Sequence, residues 1–145
     1  MDIWVHVLVS GIVSIALFPK FGWFCFAAIA GGVLIDVDHL IWYMFRFRRF
    51  DISGCYKYCT AETYKNNFKD VKGQVFIFHT VEFLAACMIL SYFSDLMLMF
   101  TAGLIVHYIL DLIWYQIKLR RLILDHSIIH YYMKNSSLHK KQVKS

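Results

Sequence analysis

Charged side chains are scarce in this chain of 145 residues, of which 17% are charged and 59% hydrophobic. Soluble globular domains carry about a quarter charged residues, so the composition excludes an ordinary soluble domain. Basic residues are also missing at the start of the first apolar run, and a second long run follows it at once, which argues against a cleaved signal peptide. The sequence has no internal repeat or low-complexity segment. One compact membrane domain is therefore expected.

Four long apolar runs make up most of the sequence between residues 1 and 117. A membrane-spanning helix needs about 20 apolar residues, which the last three runs supply and the first supplies if it is counted from the first residue. Short turns lie within each pair of runs, and a long polar segment joins the pairs. The sequence predicts an all-α integral membrane four-helix bundle of two helical hairpins over 1–120, with spans at about 1–19, 21–45, 75–93 and 96–117, a cytoplasmic loop at 46–74, and a C-terminal amphipathic helix and disordered tail at 121–145.

The cations predict the orientation of these spans. Lys20 is the one cation near the hairpin turns, whereas the other 14 of the 15 Lys and Arg residues lie in the long loop and the tail. The positive-inside rule therefore places both termini and the loop in the cytoplasm of an integral cell-membrane protein. Topology accounts for most of the net charge of +5, and no specific nucleic-acid partner is expected. Arg46, Arg48 and Arg49 alternate with aromatic residues, which is typical of an interfacial anchor or an anionic-lipid site.

The apolar runs contain a few ionisable side chains, each of which is costly in hydrocarbon. Counted at about 1.5 Å per residue, all of them lie roughly 18 to 28 Å from the non-cytoplasmic turn of their hairpin. The sequence therefore predicts a single ionisable layer near the cytoplasmic face. Its members are His6, Asp36, Asp38, His39, His79, Glu82, His107 and Asp111.

The spacing of these residues places most of them in pairs on shared helix faces, because residues three or four apart are neighbours on a helix. Asp38, two residues after Asp36, joins the layer if the helix loosens there. Four imidazoles and four carboxylates in a low dielectric must pair, neutralise or bind a cation. Imidazole and carboxylate are ligands of zinc and related divalent metals, so metal binding is favoured over a structural polar network or a proton or ion path. The pairs are Asp36 with His39, His79 with Glu82, and His107 with Asp111.

Four short motifs, taken in order, resemble a known family: "WVHVLVSG", "DVDH", "FHTVEF" and "GLIVHYILD". The chain from His6 to Asp111 resembles the YdjM-like family of inner-membrane metal-dependent hydrolases, a remote relative of the zinc-dependent phospholipase C and nuclease superfamily. The resemblance implies a helical membrane bundle with a hydrolytic metal site that acts on phosphoesters. Two positions depart from the family pattern: Ile35 replaces a proline, and Gln74 stands where the family has a further histidine followed by an arginine.

The resemblance assigns roles to individual residues. His6 matches the N-terminal histidine of the family, Asp36, Asp38 and His39 match its "PDxDH" motif, His79 matches the second histidine of "HRGxTHS", and His107 with Asp111 matches "HxxxD".

In a hydrolase, a metal would acidify a bound water and polarise a phosphoryl oxygen. One carboxylate must stay off the metal to act as general base, and Asp38 and Glu82 are the candidates. His39 is either a ligand or a donor that orients one. The remaining metal ligands expected are His6, Asp36, His79, His107 and Asp111.

The cofactor expected is one or more divalent ions, with zinc favoured, and the partners expected are membrane lipid and a lipid or other phosphoester substrate. Arg46, Arg48 and Arg49 are candidate contacts for the substrate phosphate. Two other classes stay open, a small divalent-cation or proton transporter and an inactive membrane scaffold. Cys55 and Cys59 are compatible with a metal pair or with unpaired thiols.

Overall fold

The computed structural model describes residues 2–59 and 76–119, together with Ser127 and Ile129. Within these ranges the chain forms helices and turns and no strand, so the predicted all-α class is confirmed there. Most of the predicted 46–74 loop beyond Cys59, including Gln74, and most of the predicted tail lie outside the described residues. The α-helices are α1 (Ile3–Phe21), α2 (Ala27–Val33), α3 (Val37–Phe47), α4 (Ile52–Lys57), α5 (Val81–Leu90) and α6 (Asp95–Leu119).

The first hairpin reverses at Gly22. Helix α1 continues through Pro19 to Phe21, two residues beyond the predicted end of the first span. Gly22 has a φ of 56°, a backbone conformation that glycine adopts without steric cost. A 3-10 turn then leads into α2, and the hydroxyl of Ser14 donates a hydrogen bond of 2.9 Å to the carbonyl of Cys25 across the hairpin. Helices α1 and α2 are therefore antiparallel neighbours.

Glycines let α2 pack directly against α6. A Cβ atom added at Gly103 would collide with the backbone of Ala28, and one added at Gly31 would collide with the backbone of Phe100. Small residues of this kind allow helix backbones to approach closely, as is common between membrane helices. This contact fixes the height of α2 against α6, and with it the relative position of the polar side chains further along both helices.

Helix α5 is shorter than the third span that the sequence predicts at 75–93. It begins after Thr80, whose hydroxyl accepts a hydrogen bond of 3.3 Å from the Phe83 amide. A 3-10 turn at Ile77–His79 precedes it in place of a further helical turn. At ten residues α5 is about 15 Å long, half of a typical hydrocarbon core. His79 and Glu82 therefore do not share a helix face.

Helix α1 buries polar side chains and exposes apolar ones. Helix α1 buries His6, Ser10 and Ser14, while Trp4 is 71% and Ile15 is 74% exposed. Two stretches, Ile3–Phe47 and Asp95–Trp114, are long and apolar enough to cross a membrane. In the most apolar 18 residues of each stretch, only 17% and 33% of the residues are buried, whereas the core helix of a soluble protein is mostly buried.

Candidate metal centre

One cluster gathers seven of the eight ionisable side chains that the sequence places in a common layer. It forms where α1, the 3-10 turn at Leu34–Asp36, the start of α3, the turn at Ile77–His79 and α6 meet. Histidine nitrogens and aspartate oxygens within it are 3.0 to 3.9 Å apart. The members of this His/Asp cluster are His6, Asp36, Asp38, His39, His79, His107 and Asp111.

A departure from α-helical geometry brings Asp38 into the cluster. The helix changes to the tighter 3-10 geometry at Leu34–Asp36, which changes the angle between Asp36 and Asp38. Both carboxylates then reach His79, Asp36 at 3.5 Å from Nε2 and Asp38 at 3.0 Å from Nδ1. Asp38 therefore joins the layer, but through a tighter 3-10 turn rather than through the loosened helix that the sequence led us to expect.

Three ligand atoms at the centre of the cluster are spaced as a metal requires. The Nε2 atoms of His79 and His107 are 3.2 Å apart, and Oδ1 of Asp36 lies 3.5 Å from the first and 3.6 Å from the second. Ligands about 2.0 to 2.2 Å from a tetrahedral zinc are separated by roughly 3.3 to 3.5 Å. The three atoms, here called the central triad, fit this geometry with little movement.

Hydrogen bonds at the other ring nitrogens orient both histidines. Nδ1 of His107 lies 2.8 Å from the carbonyl of Gly32, and a carbonyl only accepts, so Nδ1 carries the hydrogen. Nδ1 of His79 lies 3.0 Å from the Asp38 carboxylate, which also accepts from the Phe78 amide at 3.2 Å. In the neutral rings the two Nε2 lone pairs therefore face each other. A cation bound between the two nitrogens would relieve this opposition, and outer partners of this kind are usual for metal-bound histidines.

Two further groups of ligand atoms flank the central triad. One combines His6 and Asp111 with His107, and the other combines Asp38 and His39 with His79. Within each group the ligand atoms lie within 4.8 Å of one another. His107 and His79 each belong to two of these groups. One imidazole nitrogen binds one metal ion. A metal ion in the central triad therefore excludes a second ion from any flanking group that needs the same nitrogen.

The His/Asp cluster is closed on one side and open on the other. His6 and His107 are 1% and 0% exposed, whereas the side chains of Asp36 and His39 are 23% and 24% exposed. The ring of Phe76 packs edge-on against His39, with centroids 4.2 Å apart. Water or a substrate would reach the central triad past Asp36 and His39.

Glu82 is hydrogen-bonded to two residues that follow α6 in the chain. Its Oε1 atom accepts hydrogen bonds from the Ser127 hydroxyl at 2.6 Å and from the Ile129 amide at 3.3 Å. The change from helix to 3-10 turn before Thr80 separates Glu82 from His79. Its predicted role as general base stays a prediction.

Arg46 in the last turn of α3, and Arg48 and Arg49 just after it, are exposed. Arg49 donates a hydrogen bond of 2.6 Å to the Tyr43 hydroxyl and lies 3.5 Å from Asp51. Arg48 ends α3 in a left-handed conformation. Arg46 and Arg48 thus retain guanidinium groups exposed at the surface, consistent with their predicted contact to phosphate.

Sequence reasoning missed Tyr108. Its hydroxyl lies 2.9 Å from the carbonyls of both Phe78 and Thr80, and so holds the turn that carries His79 against α6. The available signal was a phenol beside His107 within an apolar run, which is also typical of ordinary packing.

Replacing Tyr108 by phenylalanine is expected to lower the free energy of unfolding by about 1 to 2 kcal/mol, because the carbonyls of Phe78 and Thr80 lose the one hydroxyl donor that they share. Metal affinity should fall several-fold, since the turn bearing His79 loosens. Thermal unfolding in detergent and metal titration measure both effects. Tyr92→Phe is the matched control because Tyr92 is 91% exposed, and an equal loss in that variant would contradict the assigned role.

Replacing Asp38 by asparagine is expected to weaken metal binding by roughly 10- to 100-fold, the usual cost of losing an outer partner of a metal-bound histidine. Competition with a chelating dye measures the affinity. Asp51→Asn is the control, because it removes the same charge from the N-cap of α4. Unchanged affinity with lost turnover in Asp38→Asn would instead support the general-base role.

Comparison of the chain with protein-family models, with characterised proteins and with solved structures found no match. The resemblance to the YdjM-like family therefore rests on the motifs alone, and the case for a metal centre rests on the geometry of the His/Asp cluster.

Proposed function

We propose that the protein is an integral membrane, metal-dependent hydrolase of phosphoesters, with its metal held by the His/Asp cluster near the cytoplasmic face. The observation that carries the proposal is the central triad, in which two imidazole nitrogens and one carboxylate oxygen lie 3.2 to 3.6 Å from one another. Hydrogen bonds at the Nδ1 atoms orient both imidazoles. Structural polar networks pair donors with acceptors. When both rings are neutral, two acceptor nitrogens face each other, and this is the arrangement that a cation site needs.

The membrane setting is supported by the exposed apolar surface and the buried polar interior. Side chains as apolar as Trp4, Ile15 and Ile117 are exposed, while His6 and His107 are buried. A four-helix bundle with both termini in the cytoplasm accounts for the two long apolar stretches and for the distribution of the 15 Lys and Arg residues. The short α5 would then reach only part of the way across the hydrocarbon core.

Zinc is the ion that the ligand set fits best, because imidazole nitrogen with carboxylate oxygen is common at zinc sites with an open position. A divalent metal in the central triad would supply a Lewis acid that polarises a phosphoryl oxygen and acidifies water. Asp38 holds His79 in place through its Oδ2 atom. His39 lies at the open edge, 3.4 Å from Asp38 and 3.9 Å from Asp36, where it can take up and release a proton.

The substrate class follows from the open edge and the arginines. Arg46 is seven residues after His39, so it shares a face of α3 with His39 and lies about 10 Å further along the axis. A phosphoester whose phosphate lies among lipid headgroups could contact both residues. A membrane lipid phosphoester is therefore the proposed substrate, and the resemblance to the YdjM-like family agrees with it.

Transport of a divalent cation or of protons is the second candidate, favoured by the polar residues that continue along α1 beyond His6. The hydroxyl of Ser14, however, is bonded to the carbonyl of Cys25, and that of Thr101 to the carbonyls of Cys87 and Met97. These groups hold helices together rather than line an open path. An inactive scaffold is the third possibility, which the replacement of a family histidine by Gln74 keeps open.

The test uses purified protein reconstituted into vesicles that contain lipid phosphoesters and enclose a zinc-sensitive dye. We expect metal-dependent release of the headgroup or of phosphate, with no dye response beyond that of empty vesicles. His79→Ala, if folded, should abolish release. A dye response without release would replace the hydrolase with a transporter, and neither signal from metal-loaded protein would favour the scaffold.

A further inference from the structure

A pair of thiols lies beside the open edge of the His/Asp cluster. Sγ of Cys55 and Sγ of Cys59 are 4.0 Å apart, and both cysteines are free. Cys55 is buried and its sulfur lies 3.7 Å from the carbonyl of His39, whereas Cys59 is partly exposed. The pair therefore has one anchored member next to a candidate ligand and one member that solvent can reach.

The segment that carries the thiols is fixed to its surroundings. Asp51 caps α4 by accepting a hydrogen bond of 2.7 Å from the Gly54 amide. The hydroxyl of Tyr56 donates a hydrogen bond of 3.0 Å to Asp2, the N-cap of α1. Helix α4 is thus tied to α1 on one side and to the His39 backbone on the other, which holds Cys55 in a defined position.

The separation of the sulfurs suits a shared metal ion better than a direct bond. Two thiolates about 2.3 Å from a tetrahedral zinc are roughly 3.8 Å apart, close to the 4.0 Å between Cys55 and Cys59. A disulfide would need the sulfurs about 2.05 Å apart, so each side chain would have to move substantially. Chelation requires a shift of a few tenths of an ångström.

Binding of an ion would itself deprotonate the pair. The thiolate is the form of cysteine that binds metal, and coordination to a metal removes the proton from a thiol.

We propose that Cys55 and Cys59 form a second metal site, separate from the His/Asp cluster, that binds a thiophilic ion of the zinc or copper(I) class. Sulfur ligands select such ions over the harder cations that carboxylate and water prefer. Solvent completes the coordination through the exposed side of Cys59. The site does not depend on hydrolase activity, and it lies at the edge through which an ion would reach Asp36 and His39.

Cadmium titration of the purified full-length protein tests the site, because cadmium bound to thiolate gives a charge-transfer absorption in the ultraviolet that histidine and aspartate ligands do not give. We expect one equivalent of cadmium to develop the band in wild type. Cys55→Ser or Cys59→Ser should weaken this binding at least tenfold, and the double variant should lack the band. Cys87→Ala, which removes a buried thiol in α5, should keep it.

The same titration separates this site from the proposed hydrolytic centre. His79→Ala should retain the thiolate band even where it loses metal-dependent hydrolysis, and the double cysteine variant should retain hydrolysis. Absence of the band in reduced wild type would overturn the proposal. So would a band that persists in the double cysteine variant, or a thiol count showing that Cys55 and Cys59 are joined in a disulfide.

Discussion

Replacing His107 by alanine is expected to remove a ligand from two of the three candidate metal-binding groups that the described residues form. His107 belongs both to the central triad and to the group with His6 and Asp111. We expect metal affinity to fall roughly 100-fold or more, beyond the loss caused by removing an outer partner. Titration with zinc in the Cys55→Ser/Cys59→Ser background measures the His/Asp cluster alone.

His39→Ala is the matched control for this prediction. His39 belongs to one flanking group and lies at the open edge, so its loss should leave the central triad able to bind with an affinity within about tenfold of wild type. His107 also bonds to the Gly32 carbonyl, so circular dichroism and unfolding of the metal-free proteins must show that both variants are folded. Equal losses in folded His39→Ala and His107→Ala would contradict a metal held at the centre.

Replacing Gly103 by alanine is expected to destabilise the protein by about 1 to 3 kcal/mol, the usual cost of forcing extra volume into a packed interface. The added Cβ would meet the backbone of Ala28, which cannot rotate away as a side chain can. Helices α2 and α6 must then separate, and Asp36 moves away from His107. Metal affinity should fall together with stability.

Gly11→Ala provides the control for Gly103→Ala. Gly11 lies within α1, and a Cβ added there meets nothing within 4 Å. Alanine should be neutral there or stabilising by about 0.5 to 1 kcal/mol, because it is the better helix former. Denaturation in detergent, followed by helicity, measures both. A Gly103→Ala protein as stable as Gly11→Ala would show that the close contact of α2 with α6 does not position the site.

The sequence predicted the level of the site because helical rise is nearly constant. Counting residues from the turn of each predicted hairpin was enough to place His6, Asp36, His79 and His107 at one height, and their side chains are in contact. It also predicted that Asp38 would join only if the helix loosened there, whereas the helix tightens to a 3-10 turn at Leu34–Asp36 and Asp38 joins by that route. Rise along a helix is a local property, so it can be read from one segment at a time.

Features that depend on contacts between segments could not be read in this way. The 75–93 run looks like a full span by hydropathy, yet bonds from Asp38 and Tyr108 hold a turn at Ile77–His79 and shorten α5. Glu82 has the correct spacing from His79 only on a regular helix. The Gly32 carbonyl that orients His107 carries no sequence signal, because every residue has a carbonyl.

Metal content of the purified protein tests the central claim most directly. Detergent-purified wild type and His79→Ala/His107→Ala proteins, both in the Cys55→Ser/Cys59→Ser background, would be stripped with chelator, reloaded with zinc or manganese and assayed by elemental analysis. We predict stoichiometric metal in the protein with the intact His/Asp cluster and none in the folded double histidine variant. Absence of metal from both, or equal metal in both, would contradict a metal centre built on the facing Nε2 atoms of His79 and His107.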